Sequence, residues 1–463
     1  MTELLIVAGT RPEAIKMAPV IDQLQKLRVD FRLVWSGQHY DHEMSRAFFE
    51  QLDLPKPDDN LNIGSGTNAE VTAGAMVALE KIIRRYEPCM VISEGDTNTV
   101  AAAAMTSANY SIPFAHVEAG LRSWNMLMPE ETNRKIADSI ASLHFAPTRL
   151  AALNLLFEGV STKGLHVTGN TIVDIVHKHA GTATNIGGSL LAELNLERNK
   201  YLLATVHRAE NTDAPARLRS ILIAINKLAG EFDVVFPMHP RTGERIARLG
   251  LGSMLEGVVR LKPLGYWEFL GLLMNCSLVL TDSGGVQEEA CVLRIPTVTL
   301  RYNTERPETL MHGNVLAGAE TQSIVECVQQ QIESAAKIRK SYLRNPFGDG
   351  HAGEKIANFV KESIEEGLAI EEPDLRRSPF MTYGLSDHRQ MTWENNVEGL
   401  VGFDDSGLPY LPSEVEDLSV RWLLRIRRSY DPNLAEFEGL EKHAVPATMK
   451  KNEPTGTSAR ATL

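Results

Sequence analysis

Acidic side chains recur in this chain where short apolar segments end. Asp96 follows the segment that begins at Met90, Glu118 ends a run of Pro, Phe, Ala and Val, and Glu130 follows Pro129. Helix capping accounts for an acid after Pro129, and Asp96 alone could be an N-cap. A carboxylate such as Glu118 is costly at the end of a buried strand unless it is paired or functional. Three such acids that converge at strand ends are harder to explain by structure alone.

Two other segments have the character of anion sites. The segment Gly9-Thr10-Arg11-Pro12 opens a predicted helix that carries Lys16, and Ser283-Gly284-Gly285 joins an apolar strand to another helix. Helix N-termini bind phosphate groups, and glycines let the backbone approach closely. Glu289 could then accept hydrogen bonds from a ribose. The alternatives are a capped helix with solvated basic residues and a tight strand–helix turn. No Lys-Ser/Thr follows the glycines, which argues against an ATPase.

Histidine and arginine complete the candidate chemistry. His207 stands with Arg208 and Glu210 at the end of a predicted strand. A lone histidine is more often structural, but this position favours function. Arg301 and Arg306 follow a later strand and could clamp a diphosphate. On its own, that segment would be read as a solvated loop.

The elements that must position these residues alternate between strands and helices. This alternation predicts α/β architecture with two doubly wound, Rossmann-like domains that face a cleft. The predicted strands of the first series are Leu4–Ala8, Phe31–Trp35, Met90–Ser93, Pro113–Val117 and Leu143–Ala146. Those of the second series are Tyr201–Thr205, Val234–Pro237, Val258–Leu261, Leu278–Leu280 and Thr297–Leu300.

The predicted domains are residues 1–169 and residues 170–350. A loose stretch from Ala180 to Gly188 is expected after a bridging helix. Residues 371–463 form an extension of unassigned role, with a cationic helix at Leu418–Arg428 and a disordered end.

Composition narrows the class of protein. The net charge of -12 over 463 residues argues against nucleic acid or an anionic membrane as the main partner. The four cysteines have no C-x-x-C spacing, so neither a zinc site nor a redox pair is indicated. Without a signal peptide or a long apolar run, the protein is expected in the cytoplasm.

In order along the chain, the motifs resemble the non-hydrolysing UDP-N-acetylglucosamine 2-epimerases of the archaeal type. The likeness runs from about residue 3 to residue 365. The motifs that carry it are Gly-Thr-Arg-Pro-Glu, Gly-Asp-Thr, His-Val-Glu-Ala-Gly-Leu-Arg, Pro-Glu-Glu, Ser-Gly-Gly-Val-Gln-Glu-Glu and Thr-Glu-Arg-Pro-Glu.

The resemblance implies a GT-B-like fold, usually as a homodimer, and a UDP-sugar substrate. In such a fold the second domain would bind UDP, and residues 351–370 would form a helix that crosses back to the first domain. The implied reaction is reversible C2 epimerisation of UDP-N-acetylglucosamine to UDP-N-acetylmannosamine without NAD or metal. UDP would be eliminated to leave 2-acetamidoglucal and then added back. The catalytic candidates carried over by motif are Asp96, Glu118, Glu130 and His207. The substrate-binding candidates are Arg11, Lys16, Arg134, Phe269, Ser283, Gly284, Gly285, Glu289 and Arg306, and no metal ligand is implied.

Two departures and three alternatives qualify this reading. Glu94 stands where members of that family usually carry His or Gln, and it adds a negative charge beside Asp96. Gln38-His39 matches a segment associated with an activating UDP-sugar, but the following Asn68-Ala69-Glu70 lacks the basic character expected there. The alternatives are a GT-B-type glycosyltransferase, a 2-epimerase of a UDP-diacetamido sugar, and a non-catalytic nucleotide-sugar sensor.

Overall fold

The structure is a computed structural model that describes residues 3–37, 49 and 52–368. It also describes two short antiparallel strands, Gly402–Phe403 and Pro409–Tyr410. The Gln38-His39 segment, the helix expected at Leu418–Arg428 and the end of the chain lie outside the described residues. Across the described ranges, none of the helices combines the length and the apolar character that a bilayer span requires.

A seven-stranded parallel sheet forms the first half. Its spatial order is β3-β2-β1-β4-β5-β6-β7. The strands are β1 Leu4–Ala8, β2 Phe31–Trp35, β3 Asp59–Asn60, β4 Met90–Glu94, β5 Phe114–Val117, β6 Leu143–Ala146 and β7 Leu165–Val167. All residues of β1, β4, β5 and β6 are buried, as expected for parallel strands that are covered by helices on both faces.

A six-stranded parallel sheet forms the second half, in the order β10-β9-β8-β11-β12-β13. The strands are β8 Tyr201–Thr205, β9 Asp233–Pro237, β10 Val259–Leu261, β11 Leu278–Thr281, β12 Thr297–Thr299 and β13 Asn314–Leu316. The ten strands predicted from the sequence are present with ends shifted by at most one residue. The predicted α/β class with two doubly wound sheets is confirmed.

Helices connect the strands and cover the sheets. The α-helices are Arg11–Lys26, Asn68–Tyr86, Asn98–Asn109, Pro129–Ile140, Arg149–Phe157, Thr171–Glu193, Ala209–Thr212, Pro215–Ala229, Pro240–Arg248, Tyr266–Asn275, Gly284–Leu293, Thr321–Arg339 and Ala352–Glu366. Short 3₁₀ helices span Gly252–Leu255 and Pro307–His312. The last helix, Ala352–Glu366, packs on the first helix of the chain, where Gly353 lies against Pro19.

One structural expectation was wrong. The stretch from Ala180 to Gly188 is not loose but forms the middle of a helix, Thr171–Glu193. Gly187 in this helix meets Gly271 of the helix Tyr266–Asn275, and a Cβ at Gly187 would lie 2.7 Å from the Gly271 carbonyl oxygen. The glycine therefore serves close packing of two helices, although in isolation it lowers helix propensity. The domain limits at 169 and 350 stay a prediction.

Candidate active site

The order of the strands reverses at one place in each sheet. In the first sheet β1 and β4 are neighbours, and in the second β8 and β11 are neighbours. Ligands of such sheets bind in the crevice outside the carboxyl ends of the strands at this reversal. The candidate motifs follow β1, β4, β5, β8, β11 and β12, so both reversal points carry them.

Glu118 lies directly after β5 at the centre of the site. Its backbone has φ of 68°, and a left-handed conformation costs a non-glycine residue about 1–3 kcal/mol. The side chain is buried, with Lys16 Nζ 2.6 Å from Oε2 and Arg306 Nη2 2.8 Å from Oε1. Lys16 belongs to the first half and Arg306 to the second, so Glu118 joins the two halves.

The charges around Glu118 decide its protonation. Burial alone would raise the pKa of Glu118, but Lys16, a hydrogen bond from Glu94 and Arg306 together hold that pKa well below its usual range. Burial likewise disfavours the ammonium of Lys16, and its neighbours Glu118, Glu288 and Glu94 outweigh that effect and raise its pKa. Glu118 is therefore an anion, and Lys16 a cation, at neutral pH.

A second group of ion pairs lies beside the first. Arg134 contacts Asp96 and Glu131 and lies 3.8 Å from Glu305 of the second half. Arg208 of the second half is 3.2 Å from both Glu130 and Glu305. The side chains of Asp96 and Glu130 are 27% and 36% exposed, so both can exchange protons with water or with a ligand in the cleft.

Two residues hold the acidic loops in place. Asp138 accepts from the backbone N–H of Gly120 at 3.1 Å and pairs with Nδ1 of His116 at 2.6 Å. The other ring nitrogen of His116 is 2.8 Å from the carbonyl oxygen of Gly95, the residue before Asp96. One buried carboxylate thus supports the loops that carry both Asp96 and Glu118.

The glycine-rich turn begins the helix Gly284–Leu293. Ser283 is the N-cap, and its side chain accepts from the N–H of Val286. A Cβ at Gly284 would lie 2.5 Å from Arg306 Nη1, whereas one at Gly285 would meet no atom within 4 Å. Gly284 is therefore required to let Arg306 reach across the helix N-terminus, where backbone N–H groups favour phosphate.

His207 follows β8 and faces this turn. The carboxylate of Asp282 accepts from the N–H groups of His207 and Arg208 at 2.9–3.1 Å, which fixes the loop. Burial lowers the pKa of His207 despite the nearby charge of Asp282, so the ring is neutral at neutral pH. A neutral imidazole can donate a hydrogen bond to a leaving phosphate oxygen.

Three sequence-predicted residues lie at the edges of this arrangement. Arg11 is the half-buried first residue of the helix Arg11–Lys26, and Phe269 is half-buried against the hydrophobic core. Burial raises the pKa of Glu289 to about 7. Among the described residues, Glu289 takes part in none of the ion pairs, and Phe269 carries no charge. The sequence-predicted residues that do form ion pairs are Asp96, Glu118, Glu130, Lys16, Arg134 and Arg306.

Sequence reasoning missed several members of the network. Glu288 is buried between Lys16 and Arg306, with Arg306 Nε 2.8 Å from its Oε1, and Asn170 also donates to it. Glu305 binds Arg301, Arg306 and Arg208. Both glutamates stood inside recognised motifs. Glu288 lies in the helix Gly284–Leu293 and Glu305 in the loop after β12, so no helical spacing links the two to their partners in the sequence.

Comparison with known proteins places this arrangement in a family. The family model of UDP-N-acetylglucosamine 2-epimerase matches residues 22–361. A UDP-N-acetylglucosamine 2-epimerase of Methanococcus maripaludis is 44% identical over 367 residues, which cover 78% of this chain and 98% of that protein. A UDP-2,3-diacetamido-2,3-dideoxy-D-glucuronate 2-epimerase of Pseudomonas aeruginosa is 40% identical, over 77% of this chain and 99% of that protein.

Solved structures give the same picture. The UDP-GlcNAc 2-epimerase of Methanocaldococcus jannaschii, in complex with UDP-GlcNAc and UDP, superposes with a TM-score of 0.72. It is 42% identical and matches 78% of this chain and 100% of its own. The enzyme of Neisseria meningitidis bound to UDP-GlcNAc has the same TM-score at 34% identity, over 78% of this chain and 100% of its own. The chain belongs to the UDP-N-acetylglucosamine 2-epimerase family.

Proposed function

We propose that this protein interconverts UDP-N-acetylglucosamine and UDP-N-acetylmannosamine by inverting C2 of the sugar. The observation that carries the proposal is the contact of Glu118, from the first half, with Arg306, which lies over the Ser283–Gly285 turn of the second half. A sugar between that turn and Glu118 would have UDP against cations and its reacting carbons against acids. Family membership supports the same assignment.

The chemistry explains why both charges are needed. The C2 proton is only weakly acidic, because it lies beside an amide nitrogen and not a carbonyl group. It becomes removable as the C1–O bond breaks and C1 gains positive charge. Carboxylates stabilise that charge and move the proton, while cations stabilise the departing diphosphate.

The residues divide accordingly. We assign proton transfer at C2 to the set Asp96, Glu118 and Glu130, and departure of UDP to His207. Lys16, Arg134 and Arg306 would face the diphosphate or the sugar, together with Arg11. The backbone of Ser283, Gly284 and Gly285 would bind phosphate, Glu289 the ribose and Phe269 the uracil. Contact between the two halves would keep water from the glucal intermediate.

Nuclear magnetic resonance tests the reaction directly. The protein is incubated with UDP-N-acetylglucosamine alone in deuterated water, and the C2 epimer is followed over time. Formation of UDP-N-acetylmannosamine with deuterium at C2 is expected. A glycosyltransferase would show no epimer without an acceptor, and a nucleotide-sugar sensor would show binding without turnover.

A second sugar is tested in the same assay. The Pseudomonas aeruginosa relative named for a diacetamido-glucuronate is nearly as similar as the archaeal relatives. A UDP-2,3-diacetamido uronic acid is therefore the alternative substrate, and turnover of that sugar alone would reassign this protein. Static light scattering tests the homodimer that the family resemblance implies, and fractionation of cells tests the expected cytoplasmic location.

A further inference from the structure

Glu94 is a buried acid to which the proposed chemistry gives no role. It ends β4, and its neighbour across the sheet is Val117 of β5, the residue before Glu118. It is 2% exposed. Lys16 Nζ lies 3.2 Å from its Oε1, an atom that makes no hydrogen bond. Lys16 Nζ also lies 2.6 Å from Oε2 of Glu118, so the two carboxyl groups meet at the same ammonium.

The local charges leave one negative charge too many. Three carboxyl groups, Glu94, Glu118 and Glu288, surround two cations, Lys16 and Arg306, and Arg306 also binds Glu305. Two buried carboxyl groups that share one ammonium cannot both be ionised at low cost, so such a pair holds a proton.

The contacts decide which acid holds that proton. Glu118 is bound by Lys16 at 2.6 Å and Arg306 at 2.8 Å. Within the part of the chain that the structure describes, the ion pair of Glu94 is the longer contact with Lys16, at 3.2 Å. The carboxyl with fewer donors keeps the proton. Burial raises the pKa of Glu94 well above its usual range, Lys16 opposes this shift, and Glu118 adds to it.

We propose that Glu94 is a positioning residue that retains one proton inside the site and donates it in a hydrogen bond to Glu118. This inference rests on the proposed function, because Glu118 is assigned there to the chemistry at C2. The bond leaves Glu118 ionised and fixes its direction. When Glu94 loses its proton at alkaline pH, a second negative charge appears beside Glu118, in a site that must accept a diphosphate.

Other groups face the same space and could titrate in its place. Glu13, one turn before Lys16 on the same helix, has its pKa raised to about 7 by burial, and it adds to the shift of Glu94. Burial also raises the pKa of Glu288 to about 7, against Arg306 and Lys16. The test must separate Glu94 from these two acids.

Two variants of Glu94 test whether its side chain acts as a hydrogen-bond donor or only contributes packing volume. Glu94→Gln keeps a neutral donor, so kcat at pH 7 is expected within about threefold of wild type. We expect kcat/KM of wild type to fall at alkaline pH, and we expect that fall to be absent in Glu94→Gln. Glu94→Met has similar volume but no donor, and kcat is expected to fall by about tenfold or more. Circular dichroism checks that both variants fold.

Glu13→Gln is the matched control. It removes a buried acid on the same side of the sheet and keeps an acceptor for the N–H of Gly9. The alkaline decline should persist in this variant. If the decline disappears in Glu13→Gln, or persists in Glu94→Gln, the proposal is overturned. It is also overturned if Glu94→Gln is as inactive as Glu94→Met, since Glu94 would then transfer the proton itself.

Infrared spectroscopy tests the proton without any substrate. The difference spectrum of wild type and Glu94→Gln at pH 7 should contain the carbonyl band of a protonated carboxyl group, and that band should titrate away at alkaline pH. If the wild type converts no UDP-sugar, the proposed function fails, and the spectrum still decides where the proton lies. A carboxylate band for Glu94 at pH 7 refutes the inference even in an active enzyme.

Discussion

Replacing Asp138 by Asn tests how the buried network positions the acidic loops. The change keeps the shape of the side chain and removes its charge. Asp138 is 2% exposed and is 2.6 Å from His116 Nδ1 and 2.7 Å from Arg122 Nη1. Removing one partner of a buried ion pair costs about 3–5 kcal/mol of unfolding free energy. The loss is measured by urea denaturation at pH 7.

The effect of pH on this loss has a definite sign. Burial alone would raise the pKa of Asp138, but His116 and Arg122 outweigh burial and hold that pKa well below its ordinary value of 3.8. The stabilisation is therefore present above about pH 4 and is lost as pH falls further. The difference between wild type and Asp138→Asn should shrink below that pH.

Catalysis should fall more than binding. His116 holds the carbonyl of Gly95 and Asp138 holds the N–H of Gly120, so both acidic loops are released. A misplacement of about 1 Å can cost about 100-fold in rate, and kcat is expected to fall by about ten- to 100-fold. KM should change little, because the Ser283–Gly285 turn belongs to the other half. Epimerisation is followed by NMR.

Asp174→Asn is the matched control. Asp174 accepts from the N–H groups of Ala352 and Gly353 at 3.2 and 2.9 Å, at the start of the helix Ala352–Glu366. Burial raises its pKa despite these bonds, so acidification should favour wild type over this variant, the reverse of Asp138. We expect the free energy of unfolding of Asp174→Asn to be lower by about 0.5–2 kcal/mol and its kcat to be unchanged. Equal losses of kcat in both variants would refute the positioning argument.

Three further substitutions test separate parts of the structure. Glu118→Gln should lower turnover by about 10²–10⁴-fold and leave the affinity for UDP, measured by calorimetry, nearly unchanged; normal turnover would remove Glu118 from the chemistry. Gly284→Ala places a Cβ 2.5 Å from Arg306 Nη1 and should weaken UDP binding by about tenfold or more, whereas Gly285→Ala is its control. Gly187→Ala should lower the free energy of unfolding, measured by urea denaturation, by about 1–3 kcal/mol, because its Cβ meets the backbone of the facing helix. Gly188→Ala should not lower it, because a Cβ there meets no atom within 4 Å.

The strands were the most predictable part of the molecule. Runs such as Leu4–Ala8 and Leu278–Leu280 are apolar throughout and buried, and their short length favours parallel strands over helices. The glycines near Gly187 predict a loose stretch where a helix forms, because the sequence shows their low helix propensity but not the helix that packs against them. That partner, around Gly271, is more than 80 residues away in the chain.

The site was predictable only in part for a related reason. Position at strand ends pointed to Asp96 and Glu118, since each side chain's place follows from local structure. The partner of an acid does not follow from local structure. Glu118 pairs with Arg306, 188 residues away, and Lys16 pairs with Glu288 in the other half. The sequence therefore indicates the acids but not the cations that balance their charge, and nothing local singles out Glu288 and Glu305.

That balance implies that diphosphate binding and the basicity of Glu118 are coupled. Arg306 helps to hold the pKa of Glu118 below its usual range, and the same guanidinium lies against Gly284 in the turn that we propose to bind phosphate. A bound diphosphate competes for Arg306, so Glu118 becomes a stronger base in the complex than in the free enzyme.

The pH dependence of the two kinetic constants tests this coupling. The acid limb of kcat/KM reports the free enzyme and that of kcat reports the complex. We expect the acid limb of kcat to lie at a higher pH than that of kcat/KM. The difference between the two limbs should be smaller in Arg306→Gln, because no guanidinium is left there for Glu118 and the diphosphate to share. If the two acid limbs coincide in wild type, bound phosphate does not disturb the Glu118–Arg306 pair. Glu118 would then have to act while its pKa is still lowered by Arg306.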